Sequence, residues 1–127
     1  MGKIVVLIVD EQPLFRELRQ AIAQGSRAEA IEIVECAGKD SNETVAQIDA
    51  VSPDIVLLDI DYPGRGGLEL CKKIVRSTPQ TKVIMLSSNP VEDDNELLEV
   101  IKSGAAAYLL TQYCAPQELI ETIERAS

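Results

Sequence analysis

Acidic side chains follow two apolar segments of this chain. They are Asp10 and Glu11 after Ile4–Val9, and Asp59 and Asp61 after Ile55–Leu58. If the two segments are neighbouring parallel strands, these carboxylates meet at one edge of a sheet. Crowded carboxylates repel one another, and a divalent cation, a shared proton or a covalent reaction gives them a reason to be close. The pattern therefore indicates a chemical site rather than a solvated surface.

Five segments predict the strands that would position these acids. Four are continuously apolar, as is typical of parallel strands covered on both faces, namely Ile4–Val9, Ile55–Leu58, Val83–Leu86 and Ala107–Leu110. The fifth, Ile31–Cys36, mixes apolar and acidic residues and predicts a half-exposed edge strand.

Apolar residues at helical spacing fill the intervals between the predicted strands. Pro13 and Pro116 suit the first turns of the first and fifth helices, and Gly104 suits the end of the fourth. The fourth helix is marked by three apolar residues, Leu97, Leu98 and Ile101. Strand and helix alternate without a linker or repeat. We therefore predict one α/β domain, residues 1–127, with a doubly wound five-stranded parallel sheet, a flavodoxin-like (βα)5 fold and strand order 2-1-3-4-5.

In that strand order, ligands bind beyond the carboxyl ends of the first and third strands. Asp10 and Asp59 lie at those two ends, while Ser87 closes the fourth predicted strand and Thr111 follows the fifth. The polar residues at the strand ends should therefore converge on one rim of the sheet.

Composition argues against several classes of partner and site. The 127 residues include 12 Lys and Arg against 21 Asp and Glu, a net charge of −9, which disfavours nucleic acid and anionic membrane. Three cysteines without any histidine fit neither a disulfide framework nor a Cys/His zinc site. No apolar stretch reaches the length of a signal segment or a membrane span, so we expect a cytoplasmic protein.

The motifs resemble those of a response-regulator receiver domain, from about Lys3 to Ala126. The resemblance is carried by four segments in order, Ile8–Arg16, Pro53–Gly64, Val83–Ser88 and Gly104–Leu110. The first segment is especially similar to receivers joined to helix-turn-helix DNA-binding domains. That similarity implies a DNA-binding output domain outside this chain.

The resemblance implies a role for each residue at the predicted rim. Asp59 would accept a phosphoryl group from a sensor histidine kinase, forming an acyl phosphate. Mg²⁺ would be held by Asp10, Glu11, Asp59 and the backbone carbonyl of Asp61. The chain would not be an enzyme beyond phosphorylation and dephosphorylation of its own Asp59.

A switch is implied as well. Ser87 would donate its hydroxyl to the phosphoryl group, and Tyr108 would turn inward behind it. The face built from the fourth helix, fifth strand and fifth helix would then change shape. Whether that face forms a homodimer stays open from the sequence.

Four positions depart from the pattern of the family. Thr111 stands where the family has a lysine that pairs with the phosphoryl group, and Gln112 follows where proline is frequent. Glu11 replaces a usual metal-binding aspartate, and Gly66 lies where an acid is common. A neutral hydroxyl donates a weaker hydrogen bond than an ammonium group. Without the lysine, the motif provides no cationic side chain next to the acids at the rim. These carboxyl groups should therefore have raised pKa values, or bind metal more strongly than a standard site.

Two other classes of function remain as alternatives. The chain could be a degenerate receiver, a protein-interaction module that ignores phosphorylation. Alternatively, Asp59 and Asp61 have the spacing of the paired aspartates of haloacid-dehalogenase-type phosphatases, with Ser87 after a later strand. That class places its aspartates on the opening strand and needs a lysine. A flavodoxin is disfavoured because Asp10 and Glu11 would repel a phosphate at the first loop.

Overall fold

Strands and helices alternate along the chain in the predicted order. The computed structural model describes residues 3–9, 13–25, 30–36, 40–60, 66–88 and 94–127, and only the backbone of residues 13 and 14. The strands are β1 (Ile4–Ile8), β2 (Ile31–Glu35), β3 (Ile55–Asp59), β4 (Lys82–Ser87) and β5 (Ala107–Leu110). The helices are α1 (Pro13–Gln24), α2 (Ser41–Val51), α3 (Gly67–Ser77), α4 (Asp94–Lys102) and α5 (Pro116–Ala126), with a short 3-10 helix at Thr111–Tyr113.

The five strands form one parallel sheet in the order β2-β1-β3-β4-β5, which confirms the predicted topology. β1 and β3 are neighbours, with Ile8 opposite Leu57. On the other side of β3, Asp59 lies opposite Leu86, and Ser87 in turn lies opposite Leu110. The carboxyl ends of these strands therefore share one edge of the sheet.

The core consists of two apolar clusters, one on each face of the sheet. Alternation along each strand separates them, since successive side chains point to opposite faces. The first cluster packs the sheet against α1 and α5 through buried residues that include Val6, Leu57, Phe15, Leu18, Leu119 and Ile123. The second packs it against α2 and α3, through residues that include Leu7, Val56, Met85, Ile48, Leu70 and Ile74.

The prediction of buried strands holds for the centre of the sheet and fails for β5. Ile55 to Leu58 and Val83 to Leu86 are fully buried, whereas all four residues of β5 are half-buried. The difference follows from position, because β5 pairs only with β4 among the described strands and is an edge strand. The prediction of an edge strand at Ile31–Cys36 is confirmed by the half-exposed pattern of β2.

Local signals at the helix ends also agree with the structure. Asp40 caps α2 by accepting a hydrogen bond from the backbone N–H of Glu43 at 2.9 Å. Pro116 begins α5, and Gly104 ends the turn after α4 with a φ of +88°, a backbone conformation that glycine adopts without strain.

Helix α4 forms where the sequence predicted it, but the three apolar residues that marked it are exposed. Leu97, Leu98 and Ile101 are 44%, 46% and 66% exposed, and Val100 is the buried residue of the helix. Within the described part of the chain, no helix is long and apolar enough to cross a membrane.

Candidate functional site at the carboxyl edge of the sheet

Asp59 is the last residue of β3, the central strand of the sheet, and is half-buried. Directly after it, the backbone N–H of Ile60 donates to the carbonyl oxygen of Leu86 at 2.8 Å. This bond extends the ladder between β3 and β4 one step past Asp59. The carboxylate is therefore presented from backbone that is fixed on its β4 side.

Gly67 fixes the same backbone from the helix side. Its N–H donates to the carbonyl oxygen of Ile60 at 3.1 Å, and a Cβ at this position would collide with the carbonyl oxygens of Asp59 and Ile60. Only glycine lets α3 begin this close to the strand end. Gly66 in this loop stands out from the sequence, whereas Gly67 was not predicted to matter; the two consecutive glycines where the helix begins were the available signal.

Ser87 ends β4 at the same edge as Asp59. It is 3% exposed and follows Leu86, the residue opposite Asp59 in the ladder. The structure thus brings two of the predicted site residues to neighbouring strand ends, as expected from the fold. A buried hydroxyl at a strand end beside a carboxylate is suited to donate to an anionic group formed there.

Thr111 and Gln112 lie where the chain leaves β5 and enters the 3-10 helix. The Thr111 hydroxyl donates to the carbonyl oxygen of Ser87 at 3.4 Å. The Gln112 side-chain amide donates to the carbonyl oxygen of Ser88 at 2.6 Å. Thr111 is thus at the predicted edge and directed at β4 backbone. The hydrogen bond of Gln112 was not predicted, because a sequence does not show which backbone atom a side chain will reach.

Tyr108 lies on β5 opposite Met85 and packs against the second apolar cluster. Its hydroxyl group is buried and has no hydrogen-bond partner among the described residues. An unpartnered buried hydroxyl costs roughly 1–3 kcal/mol. The side chain therefore has a polar atom in the interior that a rearranged environment could satisfy.

Three of the four predicted metal ligands, Asp10, Glu11 and Asp61, lie outside the described residues. Within the ranges that are described, no group of three or more Asp, Glu, Cys or His side chains is placed to hold a metal ion. The end of β1 does lie against β3, since the N–H of Val9 donates to the carbonyl oxygen of Leu57 at 3.1 Å. The predicted ligand set stays a prediction.

Comparisons with known proteins agree with this architecture. A solved structure of the signal receiver domain of the response regulator NarL from Mycobacterium tuberculosis superposes with a TM-score of 0.75 at 26% identity, covering 99% of this chain and 98% of that one. The transcriptional regulatory protein DegU of Brevibacillus brevis is 31% identical over 97% of this chain and 50% of its own length. The response regulator UvrY of Escherichia coli O6:H1 is 38% identical over 94% of this chain and 52% of its own.

The chain spans about half the length of these two relatives. The family model of the response regulator receiver domain matches residues 6–124, which includes all five strands except the first two residues of β1. This chain therefore belongs to the response regulator receiver domain family of two-component signalling systems.

Proposed function

We propose that this receiver accepts a phosphoryl group on Asp59 from a sensor histidine kinase and uses it to reshape a protein-interaction face. The observation that carries the proposal is the placement of Asp59 and the buried Ser87 at adjacent strand ends, on backbone held by Ile60 and Gly67. A nucleophile and a hydroxyl donor on rigid strand ends can be aligned with one phosphoryl group.

In the proposed reaction, a carboxylate oxygen of Asp59 attacks phosphorus and the phosphorus–nitrogen bond to the kinase histidine breaks. The aspartyl phosphate forms, and the histidine side chain leaves as neutral imidazole after taking up a proton. Hydrolysis of the aspartyl phosphate returns the free carboxylate. We propose no other enzymatic activity.

Asp10, Glu11, Asp59 and the backbone carbonyl of Asp61 would hold Mg²⁺, for which oxygen donors are the preferred ligands. The bound ion would supply Lewis-acid stabilisation of the charge on the phosphoryl group. The carboxylate of Asp59 at the carboxyl end of β3 suits this role.

Ser87 would donate its hydroxyl to the phosphoryl group, and Tyr108 would respond behind it. Support comes from the unpartnered hydroxyl of Tyr108 and from its packing in the same cluster as Val100 of α4. The outer side of α4 offers a surface for a partner, since Leu97, Leu98 and Ile101 are exposed there. Such a surface suits a partner protein or a second copy of the chain.

Because relatives such as DegU are named as transcriptional regulators and this chain matches half of DegU, we propose a DNA-binding output domain outside this chain. The receiver itself, at a net charge of −9, would not bind nucleic acid. It would act in the cytoplasm.

A degenerate receiver is the second candidate. The observation that favours it is Thr111, which offers a neutral hydroxyl, directed at the carbonyl of Ser87, where the resembled family has an ammonium group. Such a module would bind partners through the same fold without responding to phosphorylation.

The test is an amide NMR titration with Mg²⁺ followed by beryllofluoride, a mimic of the phosphoryl group on aspartate. We expect Ser87, Tyr108 and residues of α4 to shift in the wild type and not in Asp59→Asn, because only the carboxylate can hold the mimic. Asp54→Asn is the matched control; Asp54 precedes the same strand at its opposite end, where its side chain accepts from the N–H of Val5 at 2.8 Å. A wild-type spectrum unchanged by both additions would overturn phosphorylation in favour of the degenerate module.

A further inference from the structure

Two side chains continue the hydrogen bonding between β4 and β5 beyond the point where the backbone ladder stops. The ladder reaches Ser87 opposite Leu110, after which the chain turns into the 3-10 helix. Past that point, the hydroxyl of Thr111 bonds to the Ser87 carbonyl and the amide of Gln112 bonds to the Ser88 carbonyl. Side-chain donors thus occupy the place that backbone N–H groups would have in a longer strand.

The two bonds differ in length. The bond from Gln112 Nε2 to the Ser88 oxygen is short at 2.6 Å, whereas the bond from Thr111 Oγ1 to the Ser87 oxygen is long at 3.4 Å. Hydroxyl hydrogen bonds are usually found between about 2.5 and 3.0 Å. Gln112 is therefore the principal tie between the two strand ends.

A second hydrogen bond holds the backbone on the other side of Ser87 from the Gln112 bond. The carbonyl of Leu86, just before Ser87, accepts from the N–H of Ile60, just after Asp59. The carbonyl of Ser88, just after Ser87, accepts from Gln112. Ser87 is thus held between one bond from the end of β3 and one from the end of β5.

We propose that Gln112 is a positioning residue, which fastens the end of β4 and so fixes the place of the Ser87 hydroxyl relative to Asp59. Its effect on phosphoryl binding rests on the proposed function, whereas its effect on the backbone does not. Both partners of the bond are neutral, so the bond should persist across salt concentrations. It does not include Asp59 or a phosphoryl group, so it should also form without phosphorylation. The switch hydroxyl would then be placed before the phosphoryl group arrives.

The tie itself can be tested by NMR on the unphosphorylated protein. We expect a scalar coupling across the hydrogen bond between Gln112 Nε2 and the carbonyl carbon of Ser88. We also expect flat relaxation-dispersion profiles, without microsecond-to-millisecond exchange, at Ser87 and Ser88. Gln112→Leu should introduce microsecond-to-millisecond exchange at both residues. Gln117→Leu, the same change at an exposed position in the first turn of α5, is the control and should cause no exchange at Ser87 or Ser88.

Two further variants separate hydrogen bonding from shape. Gln112→Glu preserves the size of the side chain but, ionised, has no donor, so it should behave like Gln112→Leu. Gln112→Lys restores a donor and should suppress the exchange. If Ser87 and Ser88 show as little exchange in the Gln112→Glu variant as in the wild type, the Gln112 side chain only fills space and the proposal is overturned.

The consequence for the switch is measured by the affinity for beryllofluoride with Mg²⁺. We expect Gln112→Leu to weaken it by about two- to tenfold, the range that loss of one exposed or partly buried hydrogen bond produces, with Gln117→Leu unchanged. Induced exchange without any loss of affinity would overturn the positioning role. If the wild type does not bind beryllofluoride, the proposed function fails, and the relaxation data alone then decide whether Gln112 holds Ser87.

Discussion

Thr111 places a neutral side chain at the carboxyl edge of the sheet. Its hydroxyl lies at that edge and donates a long hydrogen bond to the carbonyl of Ser87. A neutral donor stabilises a phosphoryl group roughly half as well as a charged one. On the proposed function, phosphoryl binding should therefore be limited by the side chain at position 111.

We predict that Thr111→Lys raises the affinity for beryllofluoride by about fivefold or more, because an ammonium donor adds about 1 kcal/mol over a neutral one. The gain should shrink at high salt. Calorimetric or NMR titration at two ionic strengths measures it. Thr122→Lys on α5 adds the same charge and should leave the affinity almost unchanged; an equal gain there would mean that net charge rather than position is responsible.

Among the α-helices, α4 has the fewest buried side chains in the described part of the chain, with Val100 as its buried residue. Its last turn has further ties to α3. Lys72 on α3 contacts Glu99 of α4 and Glu69 of its own helix, each at 3.3 Å, and the thiol of Cys71 contacts the carbonyl of Ser103 at 3.6 Å. The described contacts therefore anchor the C-terminal end of α4.

We predict that Lys72→Met speeds hydrogen exchange at the amide of Ser103, which bonds to the carbonyl of Glu99. Hydrogen bonding to Glu99, and then to Glu69, raises the pKa of Lys72, so the ammonium is fully charged at neutral pH. The pair is partly exposed, so the increase should be at most about fivefold. The control is Lys73→Met, since Lys73 is an exposed neighbour; equal acceleration there would contradict an anchor at Lys72.

For the molecule as a whole, stability depends on two apolar clusters separated by one sheet. The cluster beneath α1 and α5 joins the first helix of the chain to the last, through fully buried residues such as Phe15, Leu18 and Leu119. Loss of packing there should affect the entire fold, because the sheet has no other cover on that face among the described elements.

We predict that Leu119→Ala lowers the free energy of unfolding by about 2–5 kcal/mol, the cost of a cavity in a packed core. Leu97→Ala, at a leucine that is 44% exposed, should cost well under half of that. Urea denaturation followed by circular dichroism compares the two. Similar losses for both would show that α4 is packed more firmly than its exposure indicates.

The sequence by itself determined the element order and which residues stand at the ends of β3, β4 and β5, while the strand order followed from the fold class that the alternation of strands and helices indicates. Continuous apolar segments need cover on both faces, and acids or hydroxyls directly after them must lie at the strand ends. Those constraints are local and periodic, so they can be found in a single chain. Asp59 and Ser87 were placed correctly for that reason.

Only the tertiary structure decided which faces are exposed and which backbone atoms the side chains reach. The half-buried state of β5 depends on its edge position, and the outward side of α4 depends on how that helix rests on the sheet. The crowding at Gly67 and the bond from Gln112 to Ser88 join elements that are distant in sequence. Such contacts depend on distances across the fold, which periodicity and residue type do not specify.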